Sequence, residues 1–338
     1  MIICHQKYIK QINSQFFCIA LGPGYAIIKL FYSRKITMNW YGGIEAGGTK
    51  FYCIIASDPQ HILAEATIPT TTPQKTLPEV VSFFVNQQAK LHIHLNGMGV
   101  SCFGPINLDP QDAGYGTITS TPKVQWQNTS LLKLLKAKLD LPFGFDTDVN
   151  GAALGEGLWG AGQGLSDFIY ITVGTGIGGG IITNHQPVHG LIHPEVGHMR
   201  INHDWAKDPY AGNCPFHGDC LEGLACGPAM TSRWGISTHD LNADHPAWEL
   251  EANYLSQAIH NLALTLSPKR FILGGGVMNK SGLIEKVRAF SQDSLNGYID
   301  HDTIKNMVEN FIVPPALGNR SGALGAIALA ISAASDES

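Results

Sequence analysis

Twice in this chain a run of β-branched and aromatic residues breaks at a cluster of glycines and then resumes: YGGIEAGGTKFYCIIAS at 41–57 and DFIYITVGTGIGGGIITN at 167–184. Such runs read as strands, and a short glycine-bearing connection between two of them reads as an antiparallel hairpin. Similar elements surround both hairpins. HILAEATI adds a third strand to the first, giving an antiparallel meander. A helix is expected over Leu77–Lys90, a buried strand in NGMGVSCFG, and an amphipathic helix in NTSLLKLLKAKL with Asn128 or Ser130 as its cap. After Pro142, FGFDTDVN leads into a helix over Gly151–Gly157, and AWELEANYLSQAIHNLALTLSP is a long helix. RFILGGGVM is a strand running into a glycine turn, and SGALGAIALAIS closes the chain as a helix of small residues. The repeated order predicts two α/β domains facing each other across a cleft. No low-complexity linker separates them, so a hinge is expected rather than a tether.

A chain of 338 residues with 44% hydrophobic content is long enough for two such cores. A net charge of −5, with only 14% of residues charged, leaves no basic stripe for neutralising phosphates, which excludes nucleic acid as a partner. Seven cysteines at these spacings are not a disulfide framework, so a reducing cytoplasmic setting is expected. Residues 1–37 are apolar in part, but Gly22-Pro23-Gly24 interrupts any helix and no small-residue cleavage site follows. They are expected to be a leader or poorly ordered extension, with the functional protein starting at Met38 and no membrane partner.

EAGGTK, Glu45 to Lys50, is not a Walker A loop, because the second glycine is missing and a strand rather than a helix follows. Taken alone it is an ordinary hairpin turn. TVGTGIGGG, Thr172 to Gly180, is more suggestive: its glycines let backbone N–H groups approach a phosphate, and its threonines add hydroxyls. With Gly274 to Val277 there are three glycine-rich loops at strand ends, enough to hold a triphosphate and its adenosine. Asp146 and Asp148 end a strand just before a helix. Asp146 is equally well a helix cap, whereas Asp148 is the better base for phosphoryl transfer to an alcohol, with Mg²⁺ and loop amides stabilising the transferring group.

HGLIHPEVGHMR places Glu195 three residues before His198, and Glu222 lies two beyond Cys220; acids and imidazoles of this kind suit a polyol. Each alone is an ordinary loop charge. Cys214, His217 and Cys220, three apart in CPFHGDC, join His198 in a Cys₂His₂ set. That is a full tetrahedral complement for a structural Zn²⁺, leaving no position for a reactive water. This argues against a zinc hydrolase. His185, His189, His193 and His203 read as spectators, and Cys226 as a small buried residue.

The order GGIEAGGTKF, FGPINL, TSTPKVQW, FDTDVNGAALGEGLWGAG, TVGTGIGGGI, HPEVGHM, CPFHGDCLEGLACGPA and LGGGVM resembles the ROK sugar kinases, most closely their bacterial fructokinase branch, over Asn39 to Ser332. The resemblance implies an actin-like, hexokinase-type (ribonuclease H-like) α/β ATPase fold, and transfer of phosphate from ATP with Mg²⁺ to the 6-hydroxyl of D-fructose. It implies Asp148 as general base, with Glu195, His198, Glu222, Gly104 and Thr147 at the sugar. His198, Cys214, His217 and Cys220 would be the zinc ligands. Gly47, Gly48, Thr49 and Lys50 with Thr172, Gly174, Thr175 and Gly176 would form the phosphate loops, and Gly274, Gly275 and Gly276 the adenosine loop. It also implies a homodimer, and domains at 38–150 and 151–318 with a C-terminal helix over 319–338 returning to the first. Glu45 stands where the wider family has Asp, and Thr147 where it often has Asn. Both suit the fructokinase branch, and Thr147 lacks the amide that would bind a pyranose hydroxyl. A ROK glucokinase or mannokinase is the alternative. A sugar-sensing ROK repressor would need an N-terminal helix-turn-helix, and no two-helix pattern precedes Met38.

Overall fold

The structure, a computed structural model, describes residues 38–336; the expected leader over 1–37 lies outside them. Strands β1 (Trp40–Ala46), β2 (Lys50–Asp58) and β3 (His61–Pro69) form the antiparallel meander. Helix α1 (Pro73–Leu91) then crosses to β4 (Leu95–Cys102), and α2 (Leu131–Lys136) precedes β5 (Phe143–Thr147). Both β4 and β5 run parallel to β1, giving the order β3-β2-β1-β4-β5. Helix α3 (Asp148–Trp159) follows directly.

The second sheet repeats this plan. Strands β6 (Phe168–Val173), β7 (Ile177–Thr183) and β8 (Gln186–Pro187) form its meander. Helices α4 (Leu221–Ala225), α5 (Gly227–Trp234) and α6 (Ala247–Leu266) lead to β9 (Phe271–Gly274), and α7 (Leu283–Leu295), α8 (Asp302–Lys305) and α9 (Val308–Phe311) lead to β10 (Ile312–Val313). Its order is β10-β9-β6-β7-β8, so in both sheets the first strand is central and the fourth and fifth join it in parallel. Helix α10 (Ser321–Asp336) then follows β10 just as α3 follows β5.

Both faces of each sheet are covered, as parallel strands joined by helical crossovers require. On β6, Ile169, Ile171 and Val173 enter a core with Leu255 and Ile259 of α6, while Phe168 and Tyr170 face Ala152 and Ala153 of α3. On β2, Phe51, Cys53 and Ile55 pack with Val80 and Phe84 of α1, while Ile54 and Ala56 meet Ala323, Leu324 and Ile327 of α10. Each fully buried large side chain of this kind contributes about 1.5–3 kcal/mol.

Helices α3 and α10 cross almost backbone to backbone. A Cβ on Gly325 would collide with the Gly151 carbonyl, so the small-residue composition of α10 is a packing requirement. The buried Glu156 of α3 fixes the crossing. Its Oε1 accepts from Leu317 N (3.0 Å) and Ser321 Oγ (2.7 Å), and its Oε2 from Ala161 N (2.7 Å) and Ala316 N (3.0 Å). Among the described residues no helix is long and apolar enough to cross a membrane.

Candidate active site

The C-terminal end of β5 delivers Asp148. The Thr147 hydroxyl caps α3 by accepting Asn150 N (3.1 Å), so the helix starts at Asp148 and places its carboxylate in the first turn. Asp146 is therefore not the cap. Its Oδ1 accepts from Thr147 N (2.7 Å) and Asn150 Nδ2 (2.8 Å), and its Oδ2 faces His189 Nε2 at 3.0 Å. That contact holds the His189 imidazole above its ordinary pKa. The Asp148 carboxylate accepts Val149 N at 2.9 Å.

Asp148 opens onto a cavity of about 520 Å³. Gly104, Thr147, Thr172, Gly174, Thr175, Gly176, Glu195, His198, His217 and Glu222 share its wall. Gly47, Gly48, Thr49, Lys50 and Gly274–Gly276 do not line it. Gly274 pairs with Thr172 across β9 and β6, which sets the third glycine loop beside the second. Gly275, at φ +93°, lies so tightly against Val173 that only glycine fits. The Gly174 carbonyl accepts Gly227 N (2.8 Å), docking the β6–β7 turn on the start of α5.

The carboxylates in and beside this cavity perturb one another. Burial lifts Asp148 to about 6 against the pull of backbone N–H groups. Burial also pushes Glu195 up to about 7, with Glu222 and then Asp148 adding to the shift. Glu45, at the end of β1, rises to about 7 through burial and then the Asp148 charge, with Lys50 pulling it back. Glu222 is held differently, its Oε2 accepting Ile177 N (2.9 Å) against Gly176.

His198, Cys214, His217 and Cys220 bring four ligand atoms within 4.8 Å of one another. His198 Nδ1 is 3.7 Å from Cys214 Sγ and 3.6 Å from Cys220 Sγ, and His217 Nδ1 is 3.6 Å from Cys214 Sγ. Tetrahedral zinc, with Zn–S about 2.3 Å and Zn–N about 2.1 Å, requires S···N separations of about 3.6 Å, so the set fits. A polar network runs from Asp219, next to Cys220, into the buried Asp208. Arg200 pairs with Asp219, and His203 bridges Asp219 (3.3 Å) to the Asp208 carbonyl (2.8 Å). Asp208 also accepts from Arg233 Nε (3.1 Å) and the Tyr254 hydroxyl (2.6 Å). Cys226 is buried beside Asn213, outside the set.

Three histidines read as spectators have partners here, His189 through the Asp146 contact above. His203 belongs to the network just described. His193, only 4% exposed, lines the cavity: its Nε2 accepts Ile106 N (3.2 Å) and its Nδ1 lies 3.4 Å from Glu195 Oε1. Burial holds its pKa down, so the ring is neutral, with its proton on Nδ1. No spacing in the sequence pointed to it, since Ile106 is 87 residues away. A Cβ on Gly104 would stand 3.1 Å from the edge of this ring, so a side chain there would crowd His193.

The ROK family model matches residues 41–333. A protein named putative fructokinase from Bacillus subtilis (strain 168) is 42% identical over 289 residues, covering 86% of this chain and 94% of its own. The fructokinase of Lactococcus lactis subsp. cremoris is 42% identical over 294 residues, covering 87% and 97%. Among solved structures, a ROK family glucokinase from Streptomyces griseus in complex with glucose and AMPPNP has a TM-score of 0.68 at 24% identity, covering 87% of this chain and 100% of that one. The shared architecture is the actin-like ATPase fold. Matched to one family model through both sheets, and to bacterial relatives along nearly their whole length, this chain belongs to the ROK family.

Proposed function

We propose that this protein is a fructokinase, transferring the γ-phosphoryl group of ATP to the 6-hydroxyl of D-fructose. The observation that carries the reading is that Asp148 shares one cavity with Glu195, His198, Glu222 and the Thr172–Gly176 turn. The fructokinase names of the 42% identical relatives favour fructose, and Thr147 in place of an amide agrees.

In this reading the 6-hydroxyl hydrogen-bonds to Asp148. As the O6–P bond forms, the proton passes to the carboxylate. The bond from the γ-phosphorus to its bridging oxygen breaks, and ADP leaves with that electron pair. A carboxyl near 6 is ionised at neutral pH yet more basic than an ordinary aspartate. Glu195, near 7, exists in both protonation states there and so donates to or accepts from a sugar hydroxyl. The two glycine turns hold the phosphates and Gly274–Gly276 the adenosine. Mg²⁺ would neutralise phosphate charge beside Glu45 and Asp148. Zinc on His198, Cys214, His217 and Cys220 would be structural, fixing the loop that bears Glu222.

We extend the reading to a cytoplasmic homodimer whose halves, 38–150 and 151–318, hinge where α3 crosses the C-terminal helix. ADP release measured over a hexose panel with MgATP tests the function. Fructose should give the highest kcat/KM. Preference for glucose or mannose contradicts the sugar assignment, and absence of any hexose-dependent release contradicts the kinase.

A further inference from the structure

We infer that Lys123 is a catalytic residue whose ammonium meets the transferring phosphoryl group at the first glycine turn; this rests on the kinase reading above. The cavity wall carries three carboxylates, Asp148, Glu195 and Glu222, and no lysine or arginine. A triphosphate adds further negative charge, and phosphoryl-transfer sites offset that charge with a positioned cation as well as the metal. Some residue outside the wall must therefore supply positive charge when the nucleotide is bound.

Lys50 is the first residue of β2, where the chain leaves the turn. Lys207, Lys269, Lys286 and Lys305 pair with carboxylates, and Lys123, like Lys50 and several other lysines, makes no such pair among the described residues; what sets it apart is its place. Its side chain lies across Gly48: a Cβ there would stand 2.8 Å from Lys123 Cε and 3.8 Å from Nζ. The missing side chain at Gly48 is what leaves the amine room over the turn. Ser120 and Pro122, just before it, line the cavity.

The mounting is rigid. Trp126, 1% exposed, donates to the Thr71 carbonyl (2.9 Å) and stacks 5.1 Å from Phe51, on the hairpin whose turn holds Gly48. The Lys123 carbonyl accepts Trp126 N (2.7 Å), and Lys123 N donates to Thr121 Oγ1 (3.3 Å). With the backbone fixed, only the side chain's own rotamers remain to be ordered over the turn.

The test compares wild type with Lys123→Met, which keeps the aliphatic length, and Lys123→Arg, which keeps the charge. Each is assayed for kcat and for both KM values, and titrated with ATP and with adenosine. Lys123 is exposed, and circular dichroism on each preparation confirms folding. Lys123→Met should lower kcat at saturating substrates at least about 30-fold, or weaken ATP binding at least tenfold, with adenosine affinity and fructose KM within twofold. Lys123→Arg should recover part of the loss. Values of kcat and ATP affinity within threefold of wild type overturn the inference, as does a defect confined to fructose KM. A wild-type chain inactive on fructose would sink the functional reading instead, and the ATP and adenosine titrations would then decide Lys123 alone.

Discussion

The Cys220 sulfur lies 3.6 Å from Nδ1 of His198, and that contact joins the two segments bearing the cavity's glutamates. His198 ends the short 3₁₀ turn Val196–His198, immediately after Glu195. Cys220 is the N-cap of α4, its sulfur accepting Gly223 N at 3.5 Å, and Glu222 is in that helix's first turn. An ion on this set would therefore fix the spacing of Glu195 and Glu222 while leaving the β6–β7 turn alone.

Cys220→Ser accordingly should lose zinc and raise fructose KM about tenfold or more, with the KM for ATP within about twofold. Metal content and steady-state kinetics on one preparation check this. Unchanged fructose KM with a collapsed kcat would mean a catalytic metal.

His193→Ala removes both the acceptor for Ile106 N and the ring beside Glu195. Leaving that buried N–H unpaired costs about 1–3 kcal/mol, seen as a lower midpoint in urea. Fructose KM should rise about tenfold with kcat nearly kept, and His193→Asn should restore part of both. A normal fructose KM in a destabilised variant would assign His193 to folding alone.

The raised Asp148 pKa sets a pH dependence of known sign. Protonation removes the base, so kcat/KM should fall on the acid side with an apparent pKa of about 6–7, belonging to the coupled carboxylates rather than to one group. An acid limb near about 4, the ordinary aspartate value, would contradict burial of the base. The same shift acts on stability. The folded state holds the Asp148 proton more tightly than the unfolded chain, so this stabilising contribution is full below about 4 and lost as pH rises through about 6. Asp148→Asn should therefore raise Tm by a few degrees at pH 8 relative to wild type, and by less at pH 5.

Periodicity and glycine spacing made both hairpins, the long helix α6 and the closing helix legible, because those signals are local. Helix ends were less so. Helix α1 begins at Pro73 rather than Leu77, since proline suits a first turn, and α3 begins at Asp148 rather than Gly151 because Thr147 caps it. The four-ligand set was legible because His198 and the CPFHGDC run are near in sequence. His193 was not, since its partner Ile106 is 87 residues away, and spacing carries no signal for a contact made only when two sheets meet. Lys123 carried no such signal either, because Gly48, across which it lies, is far away in the sequence.

The central claim is that Asp148 removes the proton from the fructose 6-hydroxyl, and Asp148→Asn tests it most directly. The amide keeps the size and still hydrogen-bonds a hydroxyl, but takes no proton at neutral pH. The account predicts kcat for MgATP and fructose lowered about 10³-fold or more, with the fructose Kd, by equilibrium titration, within about threefold of wild type. A kcat within tenfold of wild type would contradict it.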